Sequence, residues 1–211
     1  MRVVNPKDIT ACSPARRMSP RLKNAGVTFA EASELLSDLR NDGDSVFGIT
    51  RGQCSLIDFC LAAMDKVGAP ADVSFFTWVV AEYEVQFVQS LIEDGRISGF
   101  RLVCDHACLT HRPGFVESVQ EKFGADAVRL SATHAKIGMV RGPRGDILIR
   151  GSMNLNQNRK LEQFDATMSF DLCEWFETVM AEIWELGSAP RHGLSHQDLI
   201  DGIDRLECPT T

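Results

Sequence analysis

The chain alternates between short apolar runs and amphipathic stretches, and the two periods separate along most of its length. Residues 73–80 (VSFFTWVV) are almost unbroken in apolar character. That is the pattern of a strand covered on both faces, with Phe75, Phe76 and Trp78 expected in the core. Further strands are expected over residues 45–50, 99–104, 146–150 and 164–170, and one long strand over 128–140. Helical spacing appears over 55–67, with Leu56, Phe59, Cys60 and Ala63 on one face, and over 82–93. It returns over 113–123, which has Pro113 near its start and Gly124 after its end. A last long helix is expected over 173–186, with Phe176, Val179, Met180, Ile183 and Trp184 inward, and a short one near 197–206. Thr28 and Glu31 have the spacing of a capping box, which would open a helix running to about Arg40.

Strands alternating with helices imply an α/β sandwich: a mixed, mostly parallel sheet with helices on both faces. Residues 1–27 read as a basic, flexible arm carrying Arg16, Arg17, Arg21 and Lys23, residues 28–187 as one domain, and 188–211 as a polar tail. No unit repeats at a fixed period. No apolar run approaches the roughly 20 residues that cross a bilayer. The first twenty residues lack the apolar stretch of a secretory signal, so the expected location is the cytoplasm, with no membrane partner. Seven cysteines without a tight framework read as reduced thiols. Cys104, Cys108, His106 and His111 match no common zinc spacing, and neither a metal site nor a cofactor is expected.

Formal net charge is −7, which argues against a general nucleic-acid coat. The charge is uneven, however. Residues 129–160 hold Arg129, Lys136, Arg141, Arg144, Arg150, Arg159 and Lys160 against the single acid Asp146. An anionic substrate would sit in such a segment. The same arginines could simply solvate a hairpin, and the two readings are compatible.

Within that segment lies a compact set of chemical groups: His134-Ala-Lys136, then Gly151-Ser152-Met153-Asn154, then Glu162. On an extended strand His134 and Lys136 would point to one face. Lys136 would supply positive charge to a developing phosphorane. Gly151 and the small Ser152 would let a phosphate approach the backbone, and Asn154 would donate amide hydrogens to it. Glu162 would bond one imidazole nitrogen of His134, fixing the tautomer and leaving the other nitrogen free to attack.

This order and spacing resembles the HxK…GSxN signature of the phospholipase D superfamily, and the α/β order over residues 45–186 fits that family's sandwich. Two departures stand out. Arg141 occupies the place of the family's Asp, and the stretch from His134 to Gly151 is longer than the family pattern, consistent with an extended Gly142–Gly145 turn. Asn156 stands where the family often has Thr or Ser, and Glu162 matches the acid of its smaller nucleases.

The resemblance implies a two-step, metal-free phosphodiester hydrolysis with His134, Lys136, Ser152, Asn154 and Glu162 as catalytic residues. Arg141, Arg144, Arg150, Asn156, Arg159 and Lys160 would contact a nucleic-acid substrate, DNA before RNA. The family uses two HxK motifs per site and this chain has one, so a homodimer pairing two copies of His134 is implied. Two other readings remain: a nucleic-acid-binding module with impaired turnover, for which Arg141 speaks, and a lipid phosphodiesterase. The acidic polar face of helix 173–186 (Glu174, Glu177, Glu182, Glu185) tells against the latter.

Overall fold

The computed structural model describes residues 4–5, 8–10, 21–28, 31–106, 108, 114–155 and 160–190. The expected helix near 197–206, and His111, Asn156, Arg159, His192 and His196, lie outside the described residues. The elements in chain order are β1 (Arg21–Thr28), α1 (Ala32–Leu35), β2 (Asp44–Thr50), α2 (Leu56–Val67), β3 (Ala71–Thr77), α3 (Glu82–Glu93) and β4 (Ile97–Asp105). Then follow α4 (Phe115–Phe123), β5 (Val128–Ser131), β6 (Ile137–Gly142), β7 (Gly145–Gly151), β8 (Glu162–Met168) and α5 (Phe170–Leu186).

The strands form one sheet in the order β1-β2-β8-β7-β6-β3-β4-β5. The α/β class is as expected, but the sheet is not mostly parallel. Only β1–β2, β3–β4 and β4–β5 are parallel, while the β2–β8–β7–β6–β3 run is antiparallel throughout. The reason is the two-residue turn between β6 and β7, which can join only antiparallel neighbours. The expected flexible arm also needs correction, because residues 21–28 pair with β2 as an edge strand.

Helices cover both faces. On one face α2 lies over β6 and β7, with Leu56, Phe59 and Ala63 fully buried and the Phe59 and Phe164 rings 4.7 Å apart. Ser55 and Asp58 form a capping box that starts α2. The helix comes close because Gly138 of β6 has no side chain: a Cβ there would lie 2.6 Å from Cys60 Sγ. On the other face α5 buries Cys173, Phe176, Met180 and Ile183 against Phe76, Val103, Met139 and Leu148. The capping box expected at Thr28 and Glu31 is not made. Thr28 ends β1, and α1 is a single turn that begins after Glu31 without a side-chain cap.

The long strand expected over 128–140 is two strands in different places. β5 is the sheet edge beside β4, and β6 lies between β3 and β7. Residues 132–136 are the crossing between them, running past the ends of β4 and β3.

Candidate active site

The ends of β2, β3, β4, β5 and β7 and the starts of β6 and β8 share one edge of the sheet. Thr50 pairs with Glu162, Phe76 with Ile137, Thr77 with Cys104 and Asp105 with Ser131. Strand ends of this kind are where α/β sheets present side chains to ligands. Both halves of the motif meet there.

His134 and Lys136 lie in the crossing loop, not on a strand, so strand alternation does not align them. A direct contact does. Lys136 is buried, and its Nζ donates to the His134 carbonyl at 2.7 Å and lies 2.9 Å from His134 Nδ1. The exposed His134 ring rests against Trp78, with centroids 5.5 Å apart. Burial pushes the Lys136 ammonium below the ordinary lysine range, and the negative charges of Glu162 and Asp105 work against that push.

Glu162 is buried at the start of β8. Its carboxylate accepts the Ser152 hydroxyl, and that hydroxyl in turn accepts Gln163 N–H at 2.9 Å. The expected bond from Glu162 to His134 is not among the contacts of the imidazole, whose hydrogen-bond partner is Lys136. The cause is register. β7 and β8 are adjacent, Gly151 pairs with Phe164, and so Ser152 lies within reach of Glu162. Ser152 therefore steadies a carboxylate while itself remaining exposed.

Gly151 also has a different reason from the one expected. A Cβ at this position would press into the Gln163 carbonyl, the oxygen that accepts Ser152 N–H at 3.0 Å. The glycine admits the neighbouring strand.

Asn154 is half-buried, and its Oδ1 accepts Trp78 N–H at 3.3 Å, with Thr77 Oγ1 at 3.5 Å. Because a backbone amide only donates, the side-chain oxygen is the atom turned to β3 and the NH2 is turned away from it. The segment is further clamped by Leu155 N–H on Thr77 Oγ1 and by Ala81 N–H on the Leu155 carbonyl.

Not all of the basic residues gather around this edge. Arg141 pairs across the hairpin with Asp146 and reaches Glu174 on α5, at the far end of β6. The residue in the place of the family's Asp is thus held by Asp146, its directly opposed neighbour. Arg144 donates to the Asp65 carbonyl from the hairpin turn, Arg150 pairs with Asp165, and Arg129 pairs with Asp126 under Trp184. Arg141 and Arg144 therefore lie away from this edge, because sequence neighbours on a hairpin are spread along some 20 Å of strand, whereas Arg150 pairs with Ile137 and stands at the edge. Lys160 is exposed two residues before Glu162.

Residues that the motif did not include complete the edge. Asp105 ends β4, is buried, and accepts Thr133 N–H at 3.0 Å. His106 follows it, with Nδ1 3.5 Å from Asp105 Oδ1. Thr77 ends β3 and Trp78 follows it. Trp78 is half-buried against His134 instead of being core as expected, while Phe75 and Phe76 are core. Their one sequence signal is position, as polar or amphipathic residues just where an apolar strand stops. Among the described residues no group of three or more His, Cys, Asp or Glu side chains could hold a metal, and no helix is long and apolar enough to cross a membrane.

No family model and no curated protein matches the chain. Among solved structures the chain is similar to that of Nuc from Salmonella typhimurium, described as a phospholipase D family member. The two are 15% identical with a TM-score of 0.49, over 70% of this chain and 98% of that one.

Proposed function

We propose that this chain is a metal-independent phosphodiesterase that hydrolyses nucleic-acid phosphodiester bonds through a covalent phosphoryl intermediate on His134. What supports the reading is one observation: His134, Lys136, Asn154 and Glu162, separated by up to 28 positions, share a single sheet edge, where Lys136 contacts His134 and feels the charge of Glu162. The order of these residues is that of the HxK…GSxN signature.

In this reading Lys136 leaves His134 for a non-bridging phosphate oxygen, and the amide of Asn154 donates to another. The imidazole nitrogen that Lys136 releases attacks phosphorus. Glu162 keeps Lys136 charged against the effect of burial, and Ser152 holds Glu162 in place. Exposed Lys160, together with Asn156 and Arg159, remains the proposed contact to the polymer. A homodimer is proposed with it, in line with the single motif.

The impaired-module reading keeps one specific support: a cation, not a carboxylate, faces His134 Nδ1. Cleavage assays separate the two. Single- and double-stranded DNA incubated with the protein in EDTA should be cut, His134→Ala should not cut, and the wild-type mass in solution should be that of a dimer. Cleavage abolished by EDTA would overturn the metal-free chemistry. Intact binding by a folded wild type that never cuts would establish the module instead.

A further inference from the structure

The proposed hydrolysis needs a second proton-carrying group, and the single HxK leaves it unassigned within the chain. Asp105 and Thr133 locate a candidate. Thr133 N–H bonds Asp105 Oδ2 at 3.0 Å. His134 follows Thr133 and His106 follows Asp105, so one hydrogen bond brings the two histidines' backbones together. Sheet register agrees. β6 neighbours β3 and β3 neighbours β4, so the start of β6 and the end of β4 lie about two strand spacings, roughly 10 Å, apart. Cys108 Sγ donates to the Trp78 carbonyl at 2.8 Å, fastening the segment after His106 to the residue whose ring touches His134.

The ring of His106 is set up for proton transfer. Its Nδ1 is closed to solvent and has no hydrogen-bond partner, yet lies 3.5 Å from a buried carboxylate oxygen. The side chain as a whole is 31% exposed, so the exposed part is the remainder of the ring. A carboxylate at Nδ1 orients an imidazole and stabilises its protonated form, leaving Nε2 to exchange protons with a substrate or water. Such contacts are often long without substrate and tighten with it.

We infer that His106, oriented by Asp105, is the general acid and then the general base of the reaction, the role that pairing two copies of His134 in a homodimer would otherwise give to the second His134. The inference rests on the phosphodiesterase reading above. In the first step a His134 nitrogen forms a bond to phosphorus and the bond from phosphorus to the leaving oxygen breaks. His106 Nε2–H gives that oxygen its proton. In the second step a water oxygen bonds phosphorus, neutral His106 takes the water proton, and the N–P bond breaks with its electron pair returning to His134. The products are an alcohol and a phosphate monoester.

The test compares a DNA oligonucleotide with bis(p-nitrophenyl) phosphate, whose aryl leaving group departs without a proton. His106→Ala and His106→Gln are assayed beside wild type; Gln keeps an amide for Asp105 but has no proton it can transfer. Both variants should lose DNA cleavage about 100-fold or more. With the aryl diester both should release a burst of one p-nitrophenolate per chain and then stall. Wild-type turnover in the variants would overturn the assignment. So would equal loss on both substrates in Ala with recovery in Gln, since that marks mere loop support. A wild type that forms no covalent intermediate would remove the phosphodiesterase reading itself, and His106 with it.

Discussion

Lys136 Nζ holds His134 at two points, the Nδ1 of its ring at 2.9 Å and its own carbonyl at 2.7 Å. An ammonium only donates, so Nδ1 keeps its lone pair and the neutral ring carries its proton on Nε2. In the proposed mechanism the attacking nitrogen is therefore the one covered by Lys136, and a phosphate that draws the ammonium away would uncover it. Nitrogen NMR of the histidine-labelled protein, at a pH where the ring is neutral, should show His134 as the Nε2–H tautomer. Lys136→Met should return it to a mixture. A wild-type ring already protonated on Nδ1 would contradict the contact.

Asn154 separates holding from catalysis. Its oxygen fastens the segment after β7 to Trp78 N–H, which leaves its NH2 turned away from that contact. Asn154→Asp keeps the acceptor and loses the donors. It should fold with a thermal midpoint within a few degrees of wild type and lose about 100-fold or more in kcat, the usual scale for a donor to a developing oxyanion. Asn154→Ala should lose both activity and stability, about 1–3 kcal/mol for the unsatisfied backbone amide, read by denaturant unfolding. Equal activity in wild type and Asn154→Asp would remove Asn154 from the reaction.

Glu84 makes stability depend on pH away from the site. It is buried on α3 (3% exposed), and burial pushes its carboxyl up to about 7 from the usual 4.5, aided by Asp58 and opposed by a bond from Tyr83. Between those two values the folded protein keeps a proton that the unfolded chain has lost, so stability falls as pH rises across the window. Below it nothing is lost, and above about 7 the full effect, about 3 kcal/mol, is present. Glu84→Gln should abolish this slope and be the more stable form at pH 8. Parallel curves of denaturant midpoint against pH for the two proteins would contradict it.

The sequence carried the helices well where a boundary residue was chemically committed. Ser55 with Asp58 starts α2, and Gly124 ends α4. It failed at residues 128–140, because an apolar run with period 2 carries no mark of where one strand leaves the sheet and another enters elsewhere. That failure mattered for the site, since His134 and Lys136 sit in the interruption. Their pairing survives because a lysine stem can fold back two residues, a contact that alternation does not describe. Arg141 misled for a related reason: charge was counted along the chain, whereas Asp146 and Glu174 meet Arg141 from across the hairpin and from α5. Asp105, His106 and Trp78 were out of reach, because only the sheet order β6-β3-β4 makes them neighbours of the motif.

A rapid denaturing quench of protein and end-labelled DNA in EDTA shows whether His134 bonds to phosphorus. An acid-labile protein–DNA adduct that maps to His134 and is absent from His134→Ala is the expected result. Cleavage that proceeds without any adduct, or unchanged in His134→Ala, would contradict it.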